Sequence, residues 1–257
     1  MNWLRHELAV LTLAIQFLTR LPVPANWAYT PERFQASVRY YPLVGAMVGA
    51  IGAVTLVVAL QTFNPLVAIL MSMGVTLLAT GAFHEDGLAD VFDGVGGGQT
   101  RERKLEIMKD SRIGTYGAVA LLIVLSLKWA TLTTLAFDVK VVAAILIAGH
   151  CVSRLSALMV IATSEYAREE GKSKPVAVGV SSVGIVFGFA TTGAIVAGAM
   201  WGAGAQMVLW GLVGVVVGHV LMRILYSRAI GGYTGDCLGG VQQFSEIGFY
   251  LGAAAWL

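Results

Sequence analysis

Long apolar runs separated by short polar breaks set the pattern of this chain. A helix needs about 20 apolar residues to cross a bilayer, and six stretches approach that length, near 41–62, 65–83, 115–136, 141–162, 177–199 and 204–225. The breaks are Asn64-Pro65, a polar stretch over 84–114, Phe137 to Lys140, Ser164 to Pro175, and a turn at Trp201-Gly202. From 226 onward a polar, glycine-rich motif is followed by a short apolar stub. The pattern predicts an all-α integral membrane protein, one domain over 1–257 with about six transmembrane helices. The apolar run from Leu8 to Leu18 is too short to span and is interrupted or bounded by Gln16 and Arg20. It suits an amphipathic helix at the membrane interface better than a secretory signal cleaved near Val23-Pro24-Ala25.

Composition agrees with lipid as the main solvent. Residues are 57% hydrophobic and 12% charged, where a soluble domain carries about 25% charge. The net charge of +2, from 17 basic and 15 acidic residues, is too balanced to argue for nucleic acid as a partner. Cys151 and Cys237 show neither metal nor disulfide spacing and read as inert thiols. Where the basic residues fall is more informative. Arg5, Arg20, Arg33 and Arg39 precede the first span; Arg101, Arg103, Lys104, Lys109 and Arg112 occupy the 84–114 loop; Arg168, Lys172 and Lys174 lie in the 164–175 loop; Arg223 and Arg228 flank the last span. The opposite turns carry only Lys140. By the positive-inside rule both polar motifs face the cytosol, with a bacterial inner membrane as the natural setting. Gly45, Gly49 and Gly52 form a small-residue stripe suited to helix packing. Lys128, inside the third span, either snorkels or pairs with a carboxylate in the bundle. His150 and His219 read as core histidines.

The densest chemistry lies in His84-Glu85-Asp86-Gly87-Leu88-Ala89-Asp90-Val91-Phe92-Asp93-Gly94. If the second span continues as a helix, Asp86, Asp90 and Asp93 share one face. Unpaired like charges that close are costly, and a hard divalent cation such as Mg²⁺, which binds oxygen and keeps positions open for substrate phosphate, relieves them. Glu85 is a further candidate ligand, and Gly87 and Gly94 leave room beside the ligands for a phosphorylated group. A solvated helix end is the bland alternative. Thr100 reads as the N-cap of a surface helix running to about Lys109. Beyond it Lys109, Asp110, Ser111 and Arg112 offer cations, a carboxylate and a hydroxyl. As substrate-binding residues, Lys109 and Arg112 would clamp a diphosphate; as topogenic charges they would do nothing more. The motif from Gly231 to Gly240 permits tight turns, lacks the Gly-Lys-Ser/Thr of a P-loop, and offers Thr234 and Asp236. Arg154, deep in the fourth span, either pairs with a bundle carboxylate or touches substrate phosphate.

Phe17-Leu18-Thr19-Arg20-Leu21-Pro22-Val23-Pro24, His84 through Gly98, Lys109 through Gly114, and Thr234-Gly235-Asp236 together resemble the adenosylcobinamide-GDP ribazoletransferase family, over essentially the whole chain. The resemblance implies an inner-membrane, Mg²⁺-dependent transferase. Its reaction joins adenosylcobinamide-GDP and α-ribazole, or the 5′-phosphate of the latter, to give adenosylcobalamin, or its 5′-phosphate, and GMP. Asp86, Asp90 and Asp93 would hold metal, and Asp110, Asp236 or Glu85 would accept the nucleophile's proton. The partners expected are those two substrates and membrane lipid, with self-association left open. Asp90-x-x-Asp93-Gly94 also fits the start of the CDP-alcohol phosphotransferase motif, but the remainder of that motif is missing. A cation-coupled transporter would place such carboxylates at mid-bilayer, whereas these sit at the edge of a span.

Overall fold

The computed structural model describes residues 3–24, 27–167 and 179–257. Ala25, Arg168, Lys172 and Lys174, named above, lie outside them. Eleven α-helices follow in chain order among the described residues: α1 (Trp3–Leu18), α2 (Pro31–Ala36), then after a 3₁₀ turn α3 (Tyr41–Ala59), α4 (Pro65–Thr80), α5 (Phe83–Gly97), α6 (Arg101–Ile107), α7 (Thr115–Leu135), α8 (Val139–Thr163), α9 (Ser182–Ala203), α10 (Ala205–Ile230) and α11 (Gly235–Ala254). Polar residues start the helices where the sequence offers them. Asn64 caps α4, Thr100 caps α6, Asp138 caps α8, Ser181 caps α9 and Thr234 caps α11, each side chain accepting a backbone N–H of the first turn. The chain is a multi-pass membrane protein. Five helical stretches are long and apolar enough to cross a bilayer, and α4 with α5 makes a sixth if counted as one broken span.

Two features depart from the hydropathy pattern. The second span does not continue into the acidic stretch: α4 ends at Thr80, Gly81 and Ala82 both take left-handed conformations, and α5 leaves at 87° to α4. Gly81 does this without strain, whereas Ala82, at φ 54°, is the one non-glycine residue of positive φ among those described. The second departure is the C-terminus. The expected apolar stub is a full 20-residue helix, α11, packed against α10, α8, α5 and α7. It is buried on nearly all sides by protein, so it tolerates Gln242, Gln243 and Glu246 where a lipid-facing helix would not.

Glycine makes these contacts close. A Cβ on Gly218 would stand 2.6 Å from the Phe244 carbonyl carbon, and one on Gly252 would stand 2.8 Å from that of Trp210. The α10 and α11 backbones therefore touch along their length. The Gly45-Gly49-Gly52 stripe packs as expected, Gly49 against the backbone of Leu146 and Ile147 on α8 and Gly52 against Ser72 and Thr76 on α4. Cys151 and Cys237 are buried and form no disulfide among the described residues. The N-terminal helix α1 buries Ala9, Val10, Leu13, Ala14 and Leu18, leaves Trp3, Leu4 and Leu8 exposed, and is tied down by the Glu7–Arg39 ion pair at 2.7 Å.

Candidate functional site

The helix ends and the broken span meet around a cavity of about 920 Å³. Its walls come from the end of α1 (Gln16, Phe17, Thr19, Arg20), the α4–α5 turn and first turns of α5 (Glu85, Asp86, Gly87, Asp90), the loop before α7 (Lys109, Ser111, Arg112) and the start of α11 (Gly235, Asp236), with Tyr166 beyond α8. Asp86 and Asp90, one helical turn apart on α5, open into it. Asp86 is exposed and Asp90 half-buried. Asp236 reaches the same wall because Gly87 has no side chain: a Cβ there would lie 2.7 Å from the Asp236 carbonyl oxygen. Gly87 thus seats α11 against α5 while also lining the cavity.

Five expected site residues stand away from the cavity or are engaged by the protein itself. Asp93 turns the other way and is 8% exposed. The Gly114 and Gly117 N–H groups donate to its two oxygens at 2.7 and 2.8 Å. It is an N-terminal cap for α7 supplied from α5, its charge set against the positive end of that helix. The face shared by Asp86, Asp90 and Asp93 is therefore divided. Gly94 holds no substrate space either, being covered by Met108 and the Lys104 carbonyl. Asp110 forms a bidentate pair with Arg112, down to 2.6 Å, which holds its carboxyl at about 2, well below the usual carboxylate range. A group that acidic is a poor proton acceptor at neutral pH and a good orienting partner for Arg112. Thr234 is fully buried, capping α11 and donating its hydroxyl to Asp236 Oδ2 at 3.2 Å. Arg154 is 1% exposed.

Arg154 belongs to a second polar centre, inside the bundle, whose anchor is absent from the candidates that sequence pattern supplies. Glu246 of α11 meets Lys128 of α7 at 2.9 Å, His150 of α8 at 3.2 Å and Arg154 at 4.0 Å. Tyr250 and Gln242 donate to its oxygens. The Lys128 ammonium also donates to Gln243, whose amide donates to Glu85 Oε1 at 2.8 Å. Glu85 stands at the boundary, lining both the large cavity and a void of about 20 Å³ beside this cluster, which has room for one water. Its Oε2 is buried without a partner among the described residues. A signal for Glu246 does exist in the sequence: a carboxylate on a segment of middling hydropathy demands a cation, and Lys128 and Arg154 are two intramembrane cations in need of a carboxylate.

Asp86, Asp90 and Asp236 are hard oxygen donors suited to Mg²⁺. No group of three or more His, Cys, Asp or Glu side chains among the described residues is close enough to hold an ion by itself. The described residues therefore do not make a closed structural metal site.

Residues 10–254 match the family model for cobalamin-5-phosphate synthase. Over 258 positions the chain is 44% identical to an adenosylcobinamide-GDP ribazoletransferase of Leptothrix cholodnii, covering 98% of this chain and 97% of the relative. It is 43% identical over 254 positions to the protein so named in Shewanella amazonensis, at 98% and 96% coverage. With that of Ralstonia pickettii it shares 40% over 268 positions, at 100% and 99%. No solved structure matches the chain.

Proposed function

Since the chain belongs to the cobalamin-5-phosphate synthase family, we propose that the cavity is where the last assembly step of cobalamin synthesis takes place. The adenosylcobinamide-phosphate group of adenosylcobinamide-GDP passes to a ribose hydroxyl of α-ribazole, or of its 5′-phosphate. The products are adenosylcobalamin, or its 5′-phosphate, and GMP. The single observation that carries this reading is the convergence of Asp86, Asp90 and Asp236 with Lys109 and Arg112 on one cavity at the ends of the helices. Mg²⁺ bound at Asp86 and Asp90 would supply Lewis-acid stabilisation of the diphosphate and of the departing phosphate.

The chain's own residues do the rest. Lys109 and Arg112 neutralise the equatorial phosphate oxygens, with Arg112 held by Asp110. Asp236 lies on the cavity wall beside α5 and accepts the proton of the attacking hydroxyl. Lys109, Arg112, Arg223 and Arg228 support a cytoplasmic opening in a bacterial inner membrane, where nucleotide substrates are supplied.

Purified protein given adenosylcobinamide-GDP, α-ribazole and Mg²⁺ is expected to release GMP and form adenosylcobalamin in equal amounts, and to stop when Mg²⁺ is chelated. Absence of both products with competent substrates would remove the assignment. Turnover undiminished by chelation would remove the metal.

A further inference from the structure

Arg20 is a cation in this cavity that no part of the preceding chemistry uses. We propose that its guanidinium binds the diphosphate of the nucleotide-bearing substrate, from its seat on the α4–α5 turn; the assignment rests on the proposed transfer reaction. Arg20 lines the same cavity as Asp86, Asp90, Lys109 and Arg112, and no hydrogen bond or ion pair to its side chain is present among the described residues. Several arginines elsewhere are engaged by the protein: Arg39 by Glu7, Arg101 by Ile230 and Ala167, Arg103 by Glu106, and Arg223 by Thr163.

The position is also built rather than accidental. The Arg20 N–H donates to the Ala79 carbonyl at 2.7 Å, fixing the residue to the end of α4. Its aliphatic stem then crosses Gly81, where a Cβ would lie 2.9 Å from Arg20 Cγ and 3.2 Å from Cδ. Gly81 is the left-handed residue at which α4 gives way to α5. The turn that aims Asp86 and Asp90 into the cavity and the seat that holds Arg20 are thus one packed unit. A planar guanidinium with all its donors available matches two phosphate oxygens at once. Its charge complements that of a diphosphate, which Mg²⁺ held by Asp86 and Asp90 would also stabilise.

The alternative is that Arg20 serves only the helix end, as a cation near the carbonyls of α4. Arg20→Met separates the two, because it keeps an apolar stem over Gly81 and removes the charge. Expected for Arg20→Met is a KM for adenosylcobinamide-GDP raised about tenfold or more, with the KM for α-ribazole and the thermal midpoint unchanged. Inorganic pyrophosphate should inhibit the wild-type protein competitively and the variant correspondingly less well. Arg20→Lys should recover part of the loss. If wild-type turnover is normal and Arg20→Met keeps both the wild-type KM and pyrophosphate inhibition, the assignment is overturned while the transfer reaction stands. A wild-type protein without turnover would instead overturn the reaction on which the assignment rests. Should Arg20→Met not accumulate as folded protein, Arg20→Gln decides by the same criteria.

Discussion

Two groups of charges sit within a few turns of one another and obey opposite rules. In the cavity Asp86, Lys109 and Arg20 stand without ion pairs among the described residues. In the bundle Lys128, His150 and Arg154 all gather on Glu246. Inside a bilayer an ionised side chain left alone costs several kcal/mol, so charges there survive by pairing. At the open cavity water lowers that cost, and charges can be left for a substrate to neutralise. The contrast teaches that a buried ion in a membrane enzyme need not be part of its reaction. The separation runs through single residues: Asp93 and Asp90 lie three apart on α5, yet one caps a helix and the other faces the cavity.

The sharpest way to break the comparison is to neutralise one charge on each side. Asp90→Asn should leave the protein folded and lower turnover by about 10³-fold, the several kcal/mol expected of metal-assisted charge stabilisation. Near-normal turnover at ordinary Mg²⁺ would take Asp90 out of the site. Lys128→Met should do the reverse, lowering the thermal midpoint in detergent by removing the nearest of the cations gathered on Glu246, while the protein that remains folded turns over normally. If Lys128→Met instead stays stable and loses turnover, the buried cluster belongs to the chemistry. The smallest effect sharpens the division within α5. Asp93→Asn should cost about 1 kcal/mol, the worth of a helix cap, and leave the Mg²⁺ concentration for half-maximal rate unchanged. A raised requirement would return Asp93 to the metal.

Part of the candidate site is legible in the sequence. Asp86, Asp90, Lys109, Ser111, Arg112 and Asp236 do share the cavity. They can be found because helical spacing and clustering of charge are local properties of a chain. Arg20 is visible as an interruption of an apolar run, but its place on the α4–α5 turn depends on a hydrogen bond to Ala79 and on the bare backbone at Gly81, both far from it along the chain. Asp110, Thr234 and Arg154 fit the chemistry by residue type, and packing gives them other work. Each has a partner within the protein.

By itself the sequence determined that this protein is a helical membrane protein with an acidic helix and two basic-flanked polar motifs at one end. Hydropathy and helical period act over one or two turns, and lipid leaves the backbone no other way to satisfy its hydrogen bonds. Only the tertiary structure decided that the second span breaks by 87° and that the C-terminal segment is a buried helix. It also decided which carboxylates turn inward to other helices and which remain for substrate. These are questions of which surface meets which. A hydropathy scan registers how well a segment tolerates lipid, and α11 meets almost none, so its glutamate and glutamines concealed the helix that joins the two polar centres.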